Sequence, residues 1–118
     1  MRVISGTLKG RVIPTQKTHE YRPTLSRIRE DVFNLIQHNK ELNINLENSI
    51  FGDLFCGTGS IGIEALSRGA QKVVFNDLSS QNINTLKIFL KHIPNDNYKI
   101  FLEDNHKLLI CLFHHFLR

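Results

Sequence analysis

The groups that could do chemistry in this chain sit in Asp53-Leu54-Phe55-Cys56-Gly57-Thr58-Gly59-Ser60-Ile61-Gly62. Gly57, Gly59 and Gly62 satisfy the spacing G-x-G-x-x-G. That spacing suits a turn between a strand and a helix, where bare backbone comes close to a nucleotide-like ligand. Alone, it fits dinucleotide sites and methyl-donor sites alike. Two acids separate them. Asp53 stands immediately before the turn, and Asp77 closes the run Val73-Val74-Phe75-Asn76. An acid in the second position suits the two hydroxyls of a ribose in either ligand. An acid in the first position would repel a pyrophosphate in a shielded cleft. S-adenosylmethionine has no phosphate and carries an ammonium and a sulfonium. The acids therefore favour a methyl donor, and a nicotinamide-dependent oxidoreductase stands as the alternative enzyme class.

Other reactive side chains offer less. Cys56 lies inside the glycine turn with no histidine partner specified nearby, so it reads as a small packing residue. Cys56 and Cys111 make neither a metal spacing nor a disulfide framework. His114 and His115 are adjacent, so they point different ways on a helix or strand, and no further ligand has suitable spacing. No metal is expected.

The elements that must hold the turn follow from the pattern around it. From Ser49 the sequence reads β, α, β, α, β. The expected strands are Ile50 to Phe55, Lys72 to Asn76 and Tyr98 to Leu102. The expected helices are about Ile61 to Arg68 and Ser79 to His92, with Gly69 ending the first and Pro94 following the second. Strands alternating with helices imply an α/β fold with a parallel sheet. Upstream, Met1 to Ile4 and Gly10 to Ile13 flank a glycine-bounded turn and read as a hairpin. Pro14 to Tyr21 forms a polar connector. Pro23-Thr24 starts a helix whose Leu25, Ile28, Val32, Leu35 and Ile36 form one apolar stripe. Asn39 to Asn48 reads as a loop. The expected division is residues 1–40, a hairpin and helix, and residues 49–118, a partial nucleotide-binding domain.

Composition narrows the setting. The 118 residues suit one domain with a modest core, and the 41% apolar content suits a globular chain. No apolar run approaches the ~20 residues that span a bilayer, and the N-terminus has no signal-peptide anatomy. A reduced, cytoplasmic setting is expected. The formal net charge of +4 is concentrated near the start. Arg2, Lys9, Arg11, Lys17, Arg22, Arg27, Arg29 and Lys40 face only Glu20, Glu30 and Asp31 there. Such a basic segment suggests a polyanion, most commonly a nucleic acid.

On these residues the chain resembles the bacterial 16S ribosomal RNA guanine-N2 methyltransferases of the RsmD type. The matching stretches are Met1-Arg2-Val3-Ile4-Ser5-Gly6 with Lys9-Gly10-Arg11, and Arg22-Pro23-Thr24 with Arg27-Ile28-Arg29-Glu30 and Phe33-Asn34. They continue with Asp53 to Gly59, Gly62 to Ala70, Val73-Val74-Phe75 and Asp77. The match fades after about Leu90. The resemblance implies a Rossmann-type methyltransferase sheet that binds S-adenosylmethionine. Asp53, Phe55, Gly57 and Gly59 would line the pocket, Asp77 would hold the ribose, and Asp104 would contact the adenine amine. Arg11, Arg22, Arg27 and Arg29 would face ribosomal RNA or a partly assembled small subunit.

One part of the family pattern is missing. The family's fourth strand ends in Asn-Pro-Pro-Tyr or Asp-Pro-Pro-Tyr, which orients the base and accepts hydrogens from its amine. This chain has prolines only at 14, 23 and 94. The stretch Leu108 to Arg118 is apolar and unlike that strand. The expectation is a truncated, catalytically impaired chain with no catalytic residue of its own. It would be a non-catalytic RNA-binding remnant or half of a split enzyme completed by a second polypeptide. Without the fourth strand, the first would lie at an open edge of the sheet.

Overall fold

A computed structural model of the chain describes residues 1–14, 23–104 and Lys107, with backbone alone for 23–25. The expected Arg22, most of the polar connector and the stretch from Leu108 onward lie outside the described residues.

Three parallel strands form the sheet: β1 (Ile50–Asp53), β2 (Lys72–Asn76) and β3 (Tyr98–Phe101), in the order β1-β2-β3. The register runs from Ile50↔Lys72 to Asp53↔Phe75, and from Val73↔Tyr98 to Asn76↔Phe101. Among the described residues β1 has one partner strand. The helices are α1 (Pro23–His38), α2 (Ser60–Ser67) and α3 (Ser80–Leu90). The α/β architecture is thus the one expected from the alternation, with β1, β3 and α3 shorter than expected. Strand β1 stops two residues early because Leu54 and Phe55 already belong to the turn. Helix α3 starts at Ser80, since Ser79 caps it by accepting from the Asn82 N–H at 3.2 Å.

Helices α2 and α3 pack on the sheet face that carries Val73 and Phe75. Their buried residues Ile63, Ala65, Leu66, Ile83, Leu86, Phe89 and Leu90 share one core with those two side chains. The approach is close. A Cβ on Gly62 would lie 2.3 Å from the Phe75 ring, so only glycine lets α2 sit this near β2.

The N-terminal segment joins the same core through Val3 and Ile13. Its hairpin is a single antiparallel bridge, Arg2↔Val12, rather than two full strands. Gly6 turns at φ +93 against α2, where a Cβ would fall 1.9 Å from the Ser67 carbonyl oxygen. That carbonyl accepts from the Thr7 N–H at 2.8 Å, and Ser67 Oγ donates to the Ser5 carbonyl at 2.6 Å.

Helix α1 corrects one expectation. Of its expected apolar stripe, Ile28, Val32 and Leu35 are 53%, 42% and 53% exposed, while Ile36 packs against the core. Arg29 and Phe33 share that core-facing side with Ile36. Phe33 stacks on Phe51 of β1 with ring centroids 5.8 Å apart, and the Arg68 guanidinium lies 5.1 Å above the Phe33 ring. An aromatic anchor and a buried ion pair thus outweigh the aliphatic stripe in setting the helix's rotation.

Candidate cofactor and RNA site

The sheet delivers Asp53 and Asp77 to the same turn. Asp53 ends β1, and its Oδ2 accepts from the Gly62 N–H at 2.9 Å, in the first turn of α2. Asp77 follows β2. Its Oδ2 accepts from the Gly57 N–H at 2.8 Å, and its Oδ1 accepts from the Ser79 N–H at 2.8 Å. Gly57 and Gly59 hold φ +53 and +81, a left-handed backbone that glycine adopts without strain. The turn is therefore pinned at both ends by carboxylates.

The electrostatics are those of two acids at one turn. Burial pushes the Asp53 carboxyl above its ordinary value, the Gly62 amide pulls it back, and the Asp77 charge raises it again. Cys56 lies between them and is buried. Desolvation, then the charges of Asp53 and Asp77, push its thiol up to about 12. At neutral pH it stays a thiol, which agrees with a packing role. This donor set suits a cationic ligand with vicinal hydroxyls. Phe55 is 82% exposed at the rim of the turn, where it offers an apolar face. Asp104 is exposed beyond β3.

Two residues that matter to the site were not anticipated. Asn76, only 1% exposed, joins the three strand ends. Its Nδ2 donates to the carbonyls of Leu54 at 3.4 Å and Glu103 at 3.0 Å, and its Oδ1 accepts from the Glu103 N–H at 3.0 Å. Glu64, wholly buried on α2, accepts from the Ile4 and Ser5 amides at 2.9 and 3.0 Å. It also accepts from Arg68 Nε at 2.9 Å, and Arg29 Nε lies 3.6 Å away. Both had a signal in the sequence: an asparagine inside Val-Val-Phe-Asn, and an acid inside Ile-Gly-Ile-Glu-Ala-Leu.

The basic residues divide. Arg11 is exposed on the hairpin, its guanidinium 4.8 Å above the Phe89 ring. Arg27 is exposed on α1. Arg29 is not on the surface. It is 2% exposed, donates to the Arg2 carbonyl at 2.7 Å and pairs with Glu64. A guanidinium so placed cannot reach an RNA phosphate, and the expectation for Arg29 is corrected to a structural role. Among the described residues no cluster could hold a metal ion, and no helix is long and apolar enough to cross a membrane.

Known proteins place this arrangement. Residues 1–114 match the family described as Conserved hypothetical protein 95. The chain is 38% identical over 87 residues to the Ribosomal RNA small subunit methyltransferase D of Haemophilus influenzae, covering 74% of this chain and 42% of that protein. It is 41% identical over 91 residues to YlbH of Bacillus subtilis, named as a candidate rRNA methyltransferase, covering 77% and 46%. A solved Escherichia coli protein named as a candidate methyltransferase, yhhF, superposes with a TM-score of 0.74 at 28% identity, over 92% of this chain and 56% of that one. The chain spans about half the length of the curated relatives it matches. It belongs to the Conserved hypothetical protein 95 family, whose named relatives are RsmD-type methyltransferases.

Proposed function

We propose that these 118 residues form the cofactor-binding and RNA-facing half of a methyltransferase that acts on a guanine N2 of small-subunit ribosomal RNA, in the cytoplasm. The observation that carries this reading is the glycine turn held between Asp53 and Asp77. In this reading S-adenosylmethionine lies along the turn and supplies the methyl group. Asp53 faces its positive charge. Asp77 takes the ribose hydroxyls on the lone pairs left by Gly57 and Ser79, since a carboxylate offers about four acceptor sites. Phe55 and Asp104 border the adenine. Residues 1–40 face RNA and residues 49–118 hold the cofactor, with Arg11, Arg22 and Arg27 meeting phosphates.

The 118 residues contain no Pro-Pro-Tyr segment. Among the described residues no other group is seen to take over its acceptors for the guanine amine or its stacking ring. Losing that positioning costs at least ~1000-fold, about 4 kcal/mol. The 118 residues alone should bind S-adenosylmethionine no more tightly than about 100 μM and should not methylate. Calorimetry, and tritium transfer to ribosomal RNA or partly assembled small subunits, test this. A tight complex indifferent to Asp77→Ala would overturn the cofactor assignment. Methyl transfer by the 118 residues that disappears with Asp53→Ala would overturn the impaired reading.

A completing segment is the second part of this reading, favoured by one side of the fold. Gln37 on α1 accepts from Arg68 of α2 at 3.0 Å, which sets the flank of α1 that meets α2. At 3.6 residues per turn, Ile28, Val32 and Leu35 lie on the other flank, away from α2. That flank is exposed, and β1 has no second partner strand among the described residues. A polypeptide supplying a parallel strand beside β1 would cover both. Adding the remaining half of a relative should restore methyl transfer. A purely RNA-binding role predicts RNA capture with no restoration.

A further inference from the structure

We propose that Asn76 is a positioning residue of the cofactor site: its buried amide sets the spacing of the three strand ends that carry Asp53, Asp77 and Asp104. The inference rests on the cofactor reading above for its functional meaning. Its geometric part stands without it.

The reason lies in what a primary amide can do. It offers an acceptor and donors, like a peptide group, but from a side chain. Strand β3 ends at Phe101, paired with Asn76. There the Asp77 N–H donates to the Phe101 carbonyl at 3.4 Å, and the Asn76 side chain extends the pairing by bonding both the N–H and the carbonyl of Glu103. Asp104 is the next residue. On the other side, the amide donates to the Leu54 carbonyl, one residue beyond Asp53. The main chain of Asn76 adds a fourth hold, since its carbonyl accepts from the Cys56 N–H at 2.9 Å. Leu54 and Cys56 are thus both tied to residue 76, and Phe55 between them is turned outward. Asp77 then bonds Gly57. Every cofactor candidate in the turn therefore lies within one or two residues of a group that Asn76 or Asp77 holds.

An apolar residue of similar size would fill the volume. It would leave the Leu54 and Glu103 groups without these partners and let β1 and β3 shift against β2. An aspartate would keep the shape but face two carbonyl oxygens with a negative charge. Either change should disturb the site more than it disturbs packing.

The test compares Asn76→Val and Asn76→Asp with the parent and with Ile83→Val. Ile83 is 3% exposed in the α3 packing and serves as a stability control. Two quantities are read: hydrogen-exchange protection of the Gly57 and Gly62 amides, and S-adenosylmethionine affinity by calorimetry. The expected result is at least tenfold lower protection of both amides and at least tenfold weaker binding in the Asn76 variants. Ile83→Val, at comparable melting temperature, should change each less than threefold. Unchanged amides in a folded Asn76 variant would overturn the proposal, as would an equal loss in Ile83→Val. If one variant does not fold, the other decides by the same criterion. If the parent binds no S-adenosylmethionine, the cofactor reading fails, and amide protection alone decides whether Asn76 sets the turn.

Discussion

The Gly57 N–H donates to Asp77 Oδ2 at 2.8 Å across twenty residues of sequence, so the acid assigned to the ligand also holds the turn that receives it. Removing the carboxylate should have two effects. Asp77→Ala should weaken S-adenosylmethionine binding at least tenfold. It should also lower stability by about 1–2 kcal/mol, because the Gly57 and Ser79 amides lose their acceptor. Asp77→Asn keeps one acceptor and should recover part of the stability but little of the affinity. Calorimetry and urea denaturation separate the two effects.

Asp53 should make stability fall as pH rises. Its folded pKa lies above the ordinary value, with burial the largest cause. The folded state then binds more protons than the unfolded state above about pH 4, and stability is lost until the raised pKa is passed. Asp53→Asn has no such titration and keeps an acceptor for Gly62. Its urea midpoint should therefore gain on the parent's as pH rises from about 4 to 7. Affinity for the cationic ligand should move the opposite way, rising with pH in the parent and staying low and flat in Asp53→Asn. A constant midpoint difference across that range would show that Asp53 is not raised.

Glu64 should be among the costliest single positions. Replacing it by alanine removes the charge partner of two buried guanidiniums and the acceptor of two part-buried amides, and breaking a buried pair costs about 3–5 kcal/mol. Chemical denaturation should read that loss. Amides of residues 4 and 5 should lose protection first.

Arginine variants should divide by location. Arg11→Ala with Arg27→Ala should lower RNA affinity and flatten its salt dependence, by about 0.7 in slope for each lost single-strand phosphate contact. Arg29→Ala should lower the melting temperature instead, with the salt slope of the folded fraction unchanged. Filter binding across a salt series, run beside thermal melts, distinguishes them.

The strand–turn–helix order was legible because glycine spacing, β-branched runs and helix stops are local signals. The pairing of Asp53 with Asp77 at one turn was legible for the same reason, since parallel strands bring their carboxyl ends together. The face of α1 was not. Ile28, Val32 and Leu35 look like a core stripe by spacing, but Phe33 and Arg29 win the interior through Phe51 and Glu64. Periodicity cannot rank an arginine above a valine for burial, because the deciding partner lies far along the chain. Arg29 was misread as a phosphate contact for that reason. Asn76 stands out as an asparagine after Val-Val-Phe, but its role was hidden similarly, because its partners are main-chain groups of two other strand ends.

The anchoring of Ile4 to Glu64 spans sixty residues. In a growing chain residues 1–13 leave the ribosome before α2, and the Ile4 and Ser5 amides lack the Glu64 carboxylate until α2 has cleared the exit. This upstream segment is thus among the last to settle. Contacts of long sequence separation slow folding. In a nascent chain, that interval leaves the basic segment exposed next to the RNA of the ribosome that is making it.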